Sequence, residues 1–406
     1  MFAPRKERSI FLNEIHLLSF YLSKLFLFPF FGKTKFKQFG YYSTYFLIVF
    51  TSIQLCFTLV LTGLNDFIEI INISPNLGVC VMCAIKYAKV NSNRALYYDI
   101  FEHFREDLWK TISEYSAEDL KTITKYTKIF KLTNRTLILY LSLPLIAIVT
   151  IFPWILMVYE NKVGKEQKLL LPFDGWYPFD KVNWYFVVYI WESFMTGLII
   201  LVYAITDALN ISFVACICME LKLLGNSLEN LINPEDIENI TRRKNISRTH
   251  ENIKRKLNVT IKRHTFLAKI SSELNITLGD LMLVNYTFGS LFICLTAFTF
   301  TVVDDLYKSL RYFFFFIALI VAVLDQCIMG QSLSDSSEQL AEAIHASNWL
   351  YADQQTKRTL LMLLMRTQKP LQLTANGYLV MNLDTFTRIC SSSYQFFNLL
   401  RTIYQP

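Results

Sequence analysis

The chain has 406 residues, 53% of them hydrophobic and only 18% charged, with 34 Phe and 22 Tyr. Its mean hydropathy is +0.32 and its formal net charge is +7, a balance unlike that of ordinary soluble domains. Twelve Gly and ten Pro exclude a collagen-like or low-complexity chain, so a membrane protein is the first class to test.

The first apolar run, Ser19 to Gly32, is too short to span and is interrupted by Lys24 and Pro29. It lacks a small-residue cleavage site and predicts an interfacial or re-entrant amphipathic helix, not a signal peptide. Stretches nearly free of charge then mark candidate spans. They are Phe39 to Leu64, the shorter Ile70 to Ile85 ending at Lys86, Thr136 to Tyr159, and Val182 to Met219, which is interrupted by Glu192 and Asp207. Leu281 to Val303, a run that begins at Tyr312 and meets Asp325, and a last run near Leu373 to Tyr404 complete the set. The pattern predicts an all-α membrane protein with seven transmembrane helices. At about 1.5 Å per residue the fourth would be about 57 Å long against a hydrocarbon core of about 30 Å, so its inner half should project. The same is expected after the sixth, where Leu333, Leu340 and Ile344 keep helical spacing. QTKRTLLMLLMRTQ is amphipathic, with Leu360, Leu363 and Leu364 on one face, and Pro370 ends it. A cytoplasmic helical anchor body and a split seventh helix follow from these readings.

Lys and Arg alternate between the connections. Seven precede residue 40, ten lie between Lys86 and Arg135, and eleven between Glu220 and Asp280. NDFIEIINIS has none, Glu160 to Lys181 has four lysines matched by four acids, and Asp304 to Arg311 has two. The positive-inside rule puts the N-terminus in the cytoplasm and the C-terminus outside. That orientation, outer connections free of Cys, and the lack of D-R-Y and N-P-x-x-Y type motifs argue against a G-protein-coupled receptor.

All eight cysteines lie in apolar stretches, where a free Cys acts as a small hydrophobe. Cys80 and Cys83 have C-x-x-C spacing, but no second pair completes a zinc module and the five histidines are scattered. Neither a metal nor a cofactor is expected. No glycine-rich phosphate cradle, G-x-S-x-G or H-E-x-x-H occurs, so no enzyme chemistry is predicted. Basic clusters such as Arg242-Arg243-Lys244 read as positive-inside charge, not as a nucleic-acid footprint.

The segment ASNWLYADQQTKRTLLMLLMRTQKPLQLTANGYLVMNLDTFTRICSSSYQFFNLL resembles the C-terminal region of insect odorant receptors. The matching features are Trp349, Arg366-x-Gln368-x-Pro370, Ala375, Gly377, Phe386, a Ser-rich turn before Tyr394 and the ending FFNLL. Length, span number and orientation agree over the whole chain, whereas the earlier spans match in pattern only. With about 60 residues between spans four and five, the chain is similar to an odorant-tuned subunit. The shared co-receptor carries a large insertion there. The resemblance implies a ligand-gated cation channel, in which tuned and co-receptor subunits form a heterotetramer around one pore in the plasma membrane of a sensory-neuron dendrite. Its partners would be the co-receptor subunits, a small volatile organic ligand, the lipid bilayer and permeating cations, with no nucleic acid. Residues 1–40 would form the cytoplasmic N-terminus, 41–219 the ligand-binding bundle, and 220–280 with 332–372 the anchor body. Residues 281–331 would form spans five and six, and 373–406 the pore-lining helix. A gustatory receptor is the runner-up, but SSSYQFFNLL departs from that family's T-Y-h-h-h-h-Q-F ending, with h apolar. A transporter would show internal repeats, and none is apparent.

The resemblance places the ligand in the outer halves of spans two, three, four and six. A volatile needs an apolar, aromatic wall with few polar handles. Candidates are Val81 and Met82 in span two, Ala147, Thr150, Ile151 and Trp154 in span three, Phe186, Tyr189, Ile190 and Phe194 in span four, and Phe313 and Phe316 in span six. Thr150 and Tyr189 could donate hydrogen bonds, and plain helix packing is the competing reading for each residue. Glu192, an acid inside a span, has a pocket or coupling role or else pairs with a neighbouring helix. On the last helix, Ser393, Phe397, Leu400 and Tyr404 share one face, and Tyr394, Asn398, Arg401 and Gln405 a neighbouring polar one. By position in the family pattern, Phe397 and Leu400 are the gate candidates, since apolar side chains close a constriction by dewetting. Arg401 and Gln405 would line an outer vestibule; lipid or inter-helix packing is the alternative. Asp384 and Arg388, four apart, are expected to pair.

Overall fold

A computed structural model of the chain describes residues 3–30, 34–63, 67–111, 116–163, 169–303 and 306–404. Helix α1 (Ala3–Lys24) precedes α2 (Lys35–Gly63), α3 (Phe67–Ser92) and α4 (Arg94–Glu102), and a π-helical turn (His103–Asp107) leads into α5 (Leu108–Thr111). A nearly unbroken rod follows, made of α6 (Ala117–Arg135), a π-helical stretch (Thr136–Leu141), α7 (Ser142–Thr150) and α8 (Phe152–Val163). Next come α9 (Tyr185–Glu229), α10 (Pro234–Thr241), α11 (Ile246–Val302) and α12 (Leu306–Ala346). A 3-10 turn (Trp349–Tyr351), α13 (Gln354–Thr367), a hairpin of β1 (Thr374–Ala375) and β2 (Leu379–Val380), and α14 (Leu383–Tyr404) close the chain.

Among the described residues, five helical stretches are long and apolar enough to cross a membrane: 35–61, 117–160, 185–241, 246–302 and 306–346. Helices α3 and α14 complete the bundle although both carry charges; α3 packs on α2 and α11, and α14 on α11 and α12. With 45 residues, α9 is about 68 Å long, more than twice a hydrocarbon core of about 30 Å. Helices α11 and α12 are likewise too long to fit within a bilayer. Their excess lengths meet in one basal body, where Leu224, Leu257, Leu340 and Leu360 are buried together. A capping box fixes the start of α6: Ser116 Oγ accepts from Asp119 N at 3.1 Å. The same Asp119 accepts from Asn226 Nδ2 of α9 at 2.9 Å.

Two segments differ from their expected form. The apolar run after Ser19 is not a helix of its own. Helix α1 begins at Ala3, buries Phe11, Ile15, Leu18 and Leu22 on one face, and docks on α6 and α9. The last helix begins at Leu383 rather than Leu373, because residues 374–380 form a hairpin whose turn puts Asn376 and Gly377 at positive φ (50° and 79°). That hairpin is tied to α11: Thr374 N donates to Asn275 Oδ1 at 2.6 Å and Asn376 Nδ2 to Asp280 Oδ1 at 2.7 Å. At α12, Gly330 lies so close to Met381 that any Cβ would strike the Met381 carbonyl.

Candidate functional site

Glu192 of α9 is fully buried, and its carboxylate grips a loop. It accepts from the peptide N–H groups of Phe173 (3.0 Å), Asp174 (3.1 Å) and Gly175 (3.0 Å) and from the Tyr177 hydroxyl (3.2 Å). Asp174 adopts a left-handed φ of 52°, a turn geometry that lets successive N–H groups converge on one anion. Burial, with the Glu192 charge alongside, pushes the Tyr177 phenol up. The carbonyl side of the loop is held from α12, where Arg311 Nη1 donates to Pro172 O at 2.6 Å and to Leu171 O at 3.5 Å. From α2, Gln54 Nε2 donates to Trp176 O at 3.2 Å, and Thr58 Oγ1 accepts from Trp176 N at 2.8 Å. Three helices thus fix the backbone of residues 171–176 as a roof.

Two adjoining pockets lie beneath it. The first has about 600 Å³ of open space, with Pro172 and Phe173 overhead and Leu55, Val149 and Ile199 on its walls. The second has about 630 Å³ and runs past Leu141, Tyr203 and Ala322 to Asp207. They share Val79, Leu145, Ile200 and Phe315, so α3, α7, α9 and α12 line both. At the far end Lys86 of α3 donates to both oxygens of Asp207 at 2.7 and 2.8 Å, with its ammonium 3.3 Å from the Tyr203 ring centroid. Lys86 is 2% exposed and Asp207 14%. Mutual pairing is what makes two such charges tolerable in an apolar bundle.

Most of the expected ligand-contacting residues lie on faces other than those that line these two pockets. Val81, Ile151, Trp154, Phe186, Ile190, Phe194 and Phe313 are exposed on the outside of the bundle. Tyr189 donates its hydroxyl to the Thr150 carbonyl, and Thr150 Oγ1 donates to Ile146 O at 2.7 Å, so both polar handles bond internally. Ala147 is half-buried outside both pockets, and Phe316 packs on the main core. Met82 lines a smaller cavity beside Tyr203 and Val323. Helix α9 is apolar all round, so its pattern gives no inward face. The sequence signal for this cleft and its roof is the trio of charges inside spans, Lys86, Glu192 and Asp207, together with the Pro-Phe-Asp-Gly turn at 172–175.

On α14, Arg388 pairs with Asp384 at 2.8 Å, both largely exposed. Phe397 and Leu400 are half-buried against Ile71, Leu295 and Phe298. Tyr394, Asn398 and Arg401 are exposed, and Gln405 lies outside the described residues. Among the described residues no group of three or more His, Cys, Asp or Glu is placed to hold a metal ion.

A family model described as 7tm Odorant receptor matches residues 66–394. The chain is 30% identical over 204 residues to Putative odorant receptor 92a of Drosophila melanogaster, covering 50% of this chain and 46% of that one. It is 27% identical over 238 residues to Odorant receptor 67c of the same organism, covering 56% and 54%. The chain thus spans about half the length of these relatives. Its fold is similar to that of the insect olfactory receptor OR5 from Machilis hrabei in complex with eugenol, with a TM-score of 0.83 at 15% identity, over 98% of this chain and 100% of that one. With the family match covering most of its length, this helical membrane protein belongs to the insect odorant receptor family, which is not a family of enzymes.

Proposed function

We propose that the chain is an odorant-tuned subunit of an odorant-gated, non-selective cation channel in the plasma membrane, assembled with co-receptor subunits as a heterotetramer. Seven spans are formed by α2, α3, the α6–α8 rod, α9, α11, α12 and α14. The Lys/Arg excess around the basal body supports a cytoplasmic N-terminus and body, with the C-terminus outside. The observation that carries the reading is the apolar cleft between α3, α7, α9 and α12 under the loop held by Glu192 and Arg311. Such a cleft holds a small volatile mainly by burial, at about 25 cal/mol per Å². Ligand binding there shifts a closed–open equilibrium.

Outside the bilayer, Leu350, Leu361, Met362 and Met365 form exposed apolar surface on and beside α13, which supports a subunit contact there. Helix α14 lines the conduction path with the exposed strip that carries Leu399 and Ile403, and Tyr394, Asn398 and Arg401 form a separate exposed polar strip. These apolar side chains close the path by dewetting, while Phe397 and Leu400 brace α14 against α3 and α11. The test is expression in oocytes with and without the co-receptor, recording currents against an odorant panel. Odorant-dependent currents that require the co-receptor support the reading. Currents that require G-protein signalling, or none with any co-receptor, overturn it.

A further inference from the structure

We propose that Asp207 is the polar anchor of the ligand cleft and that the ligand presents to it a hydrogen-bond donor, a hydroxyl or an amine N–H, on a mainly hydrocarbon body. The inference rests on the reading of the cleft as the ligand site. Asp207 is the only charged residue lining the second pocket. Lys86, which holds it, does not line that pocket and is almost completely buried behind it. An ionised carboxylate has about four lone-pair positions and no proton to give. Lys86 occupies one position on each oxygen. Asp207 keeps 14% of its side chain exposed and lines the pocket, so positions remain for a second donor. Ser142, in the same pocket, directs its own proton to Leu137 O at 2.6 Å and leaves only lone pairs free. Tyr203 holds its ring against the Lys86 ammonium. Ala318, Leu319 and Ala322 of α12 line the pocket with hydrocarbon, and the two alanines leave width near the carboxylate.

A ligand carbonyl or ether oxygen brought to the Asp207 carboxylate meets lone pairs with lone pairs. A hydroxyl or amine completes an unmet acceptor instead, and sites of that kind reject analogues that lack the donor. Because Lys86 already balances the charge, a neutral hydroxyl suffices; an amine tests whether added positive charge helps.

The test compares ligands of one skeleton on the channel expressed with its co-receptor. The probes are hexyl to decyl alcohols, amines, methyl ethers and methyl ketones, and alkylphenols with their anisoles. A donor-bearing ligand is expected to act at concentrations about 10- to 100-fold below its methyl ether, the range of one hydrogen bond to a charged group. The double variant Lys86→Met/Asp207→Leu should remove that gap, so that an alcohol and its methyl ether act at similar concentrations. Equal potency of alcohol and ether in the natural channel overturns the inference, as does a preference that survives in the double variant. Ligand-induced Tm shifts of the purified natural chain give a second readout if the double variant fails to fold; donors must raise Tm more than ethers. Odorant currents without donor preference defeat the anchor alone. Donor-selective Tm shifts without any odorant current defeat the channel reading alone.

Discussion

Glu192 Oε2 accepts the peptide N–H of Phe173 at 3.0 Å, joining α9 to the residue that overhangs the apolar cleft between α3, α7, α9 and α12. The carboxylate serves three successive peptides at once, so the loop has one way to sit.

Glu192→Gln keeps the shape but replaces a charged acceptor with an amide whose NH2 faces N–H groups. Hydrogen bonds to charged groups contribute about 1.5–3 kcal/mol and neutral ones about 0.5–1.5 kcal/mol. A loss of about 1–3 kcal/mol is expected, read as a lower Tm and roughly tenfold weaker odorant potency. Glu192→Ala leaves three peptide donors unmet and should cost more, blocking surface expression. Unchanged Tm and potency in Glu192→Gln would remove the roof from the account.

Lys86 and Asp207 make a paired prediction. Lys86→Met alone leaves a carboxylate unpaired among apolar helices and should destabilise by about 3–5 kcal/mol. The double variant Lys86→Met/Asp207→Leu should recover most of that loss, because well-packed apolar replacements of a buried pair are often neutral. Thermal unfolding of the two purified variants checks it. A double variant no more stable than the single would mean that the pair is held by more than its own charges.

These two charge sites mark where sequence reading succeeds and where it stops. Runs free of charge located the helices, because backbone in lipid must satisfy its own hydrogen bonds and apolar helices do so. By sequence Lys86 marks the end of a span, because charge usually exits the membrane. Its partner lies 121 residues away, and nothing local announces it. Glu192 stood out as an intramembrane acid, but its partners are peptide N–H groups, which no side-chain pattern encodes. Facing was less legible still. On α9, Phe186, Ile190 and Phe194 point outward while Val188, Met195 and Ile199 point in, and both sets are equally apolar. Before α7, a π-helical stretch at Thr136–Leu141 breaks the 3.6-residue phase, so inward positions cannot be carried through from α6. The hairpin at 374–380 was hidden inside an apolar run, although Asn376-Gly377 is a turn signal.

Gly330 sits where α12 meets Met381, just before α14. Gly330→Ala would gain up to about 1 kcal/mol of helix propensity, but its Cβ must displace backbone atoms of Met381, and overpacking of that kind costs about 1–3 kcal/mol. The net expectation is a lower Tm and altered gating. Gly289→Ala is the control. Its Cβ would meet Val323 Cγ2 at 3.5 Å, an ordinary contact, so propensity should win and Tm should hold or rise. Equal effects from both substitutions would mean that the contact with Met381 is not what matters.

The two faces of α14 separate bracing from gating. Phe397 and Leu400 pack on Ile71, Leu295 and Phe298, so Phe397→Ala and Leu400→Ala open small cavities. Truncations of fully buried Phe or Leu cost about 2–5 kcal/mol, and half-burial places these two toward the lower end. They should lower surface expression and Tm. Leu399 and Ile403 are 58% and 63% exposed. Leu399→Ala and Ile403→Ala should leave Tm within about 0.5 kcal/mol of the natural chain, as surface substitutions usually do. If their face lines the path, they should also raise current in the absence of odorant, because smaller side chains wet a constriction more readily. Recording unliganded leak for all four, normalised to surface protein, distinguishes the faces. Raised leak confined to Phe397→Ala and Leu400→Ala would turn the helix over and put the braced face on the pore. Raised leak confined to Leu399→Ala and Ile403→Ala would fix their strip there, with Arg401, two residues from each, on the far side of the helix.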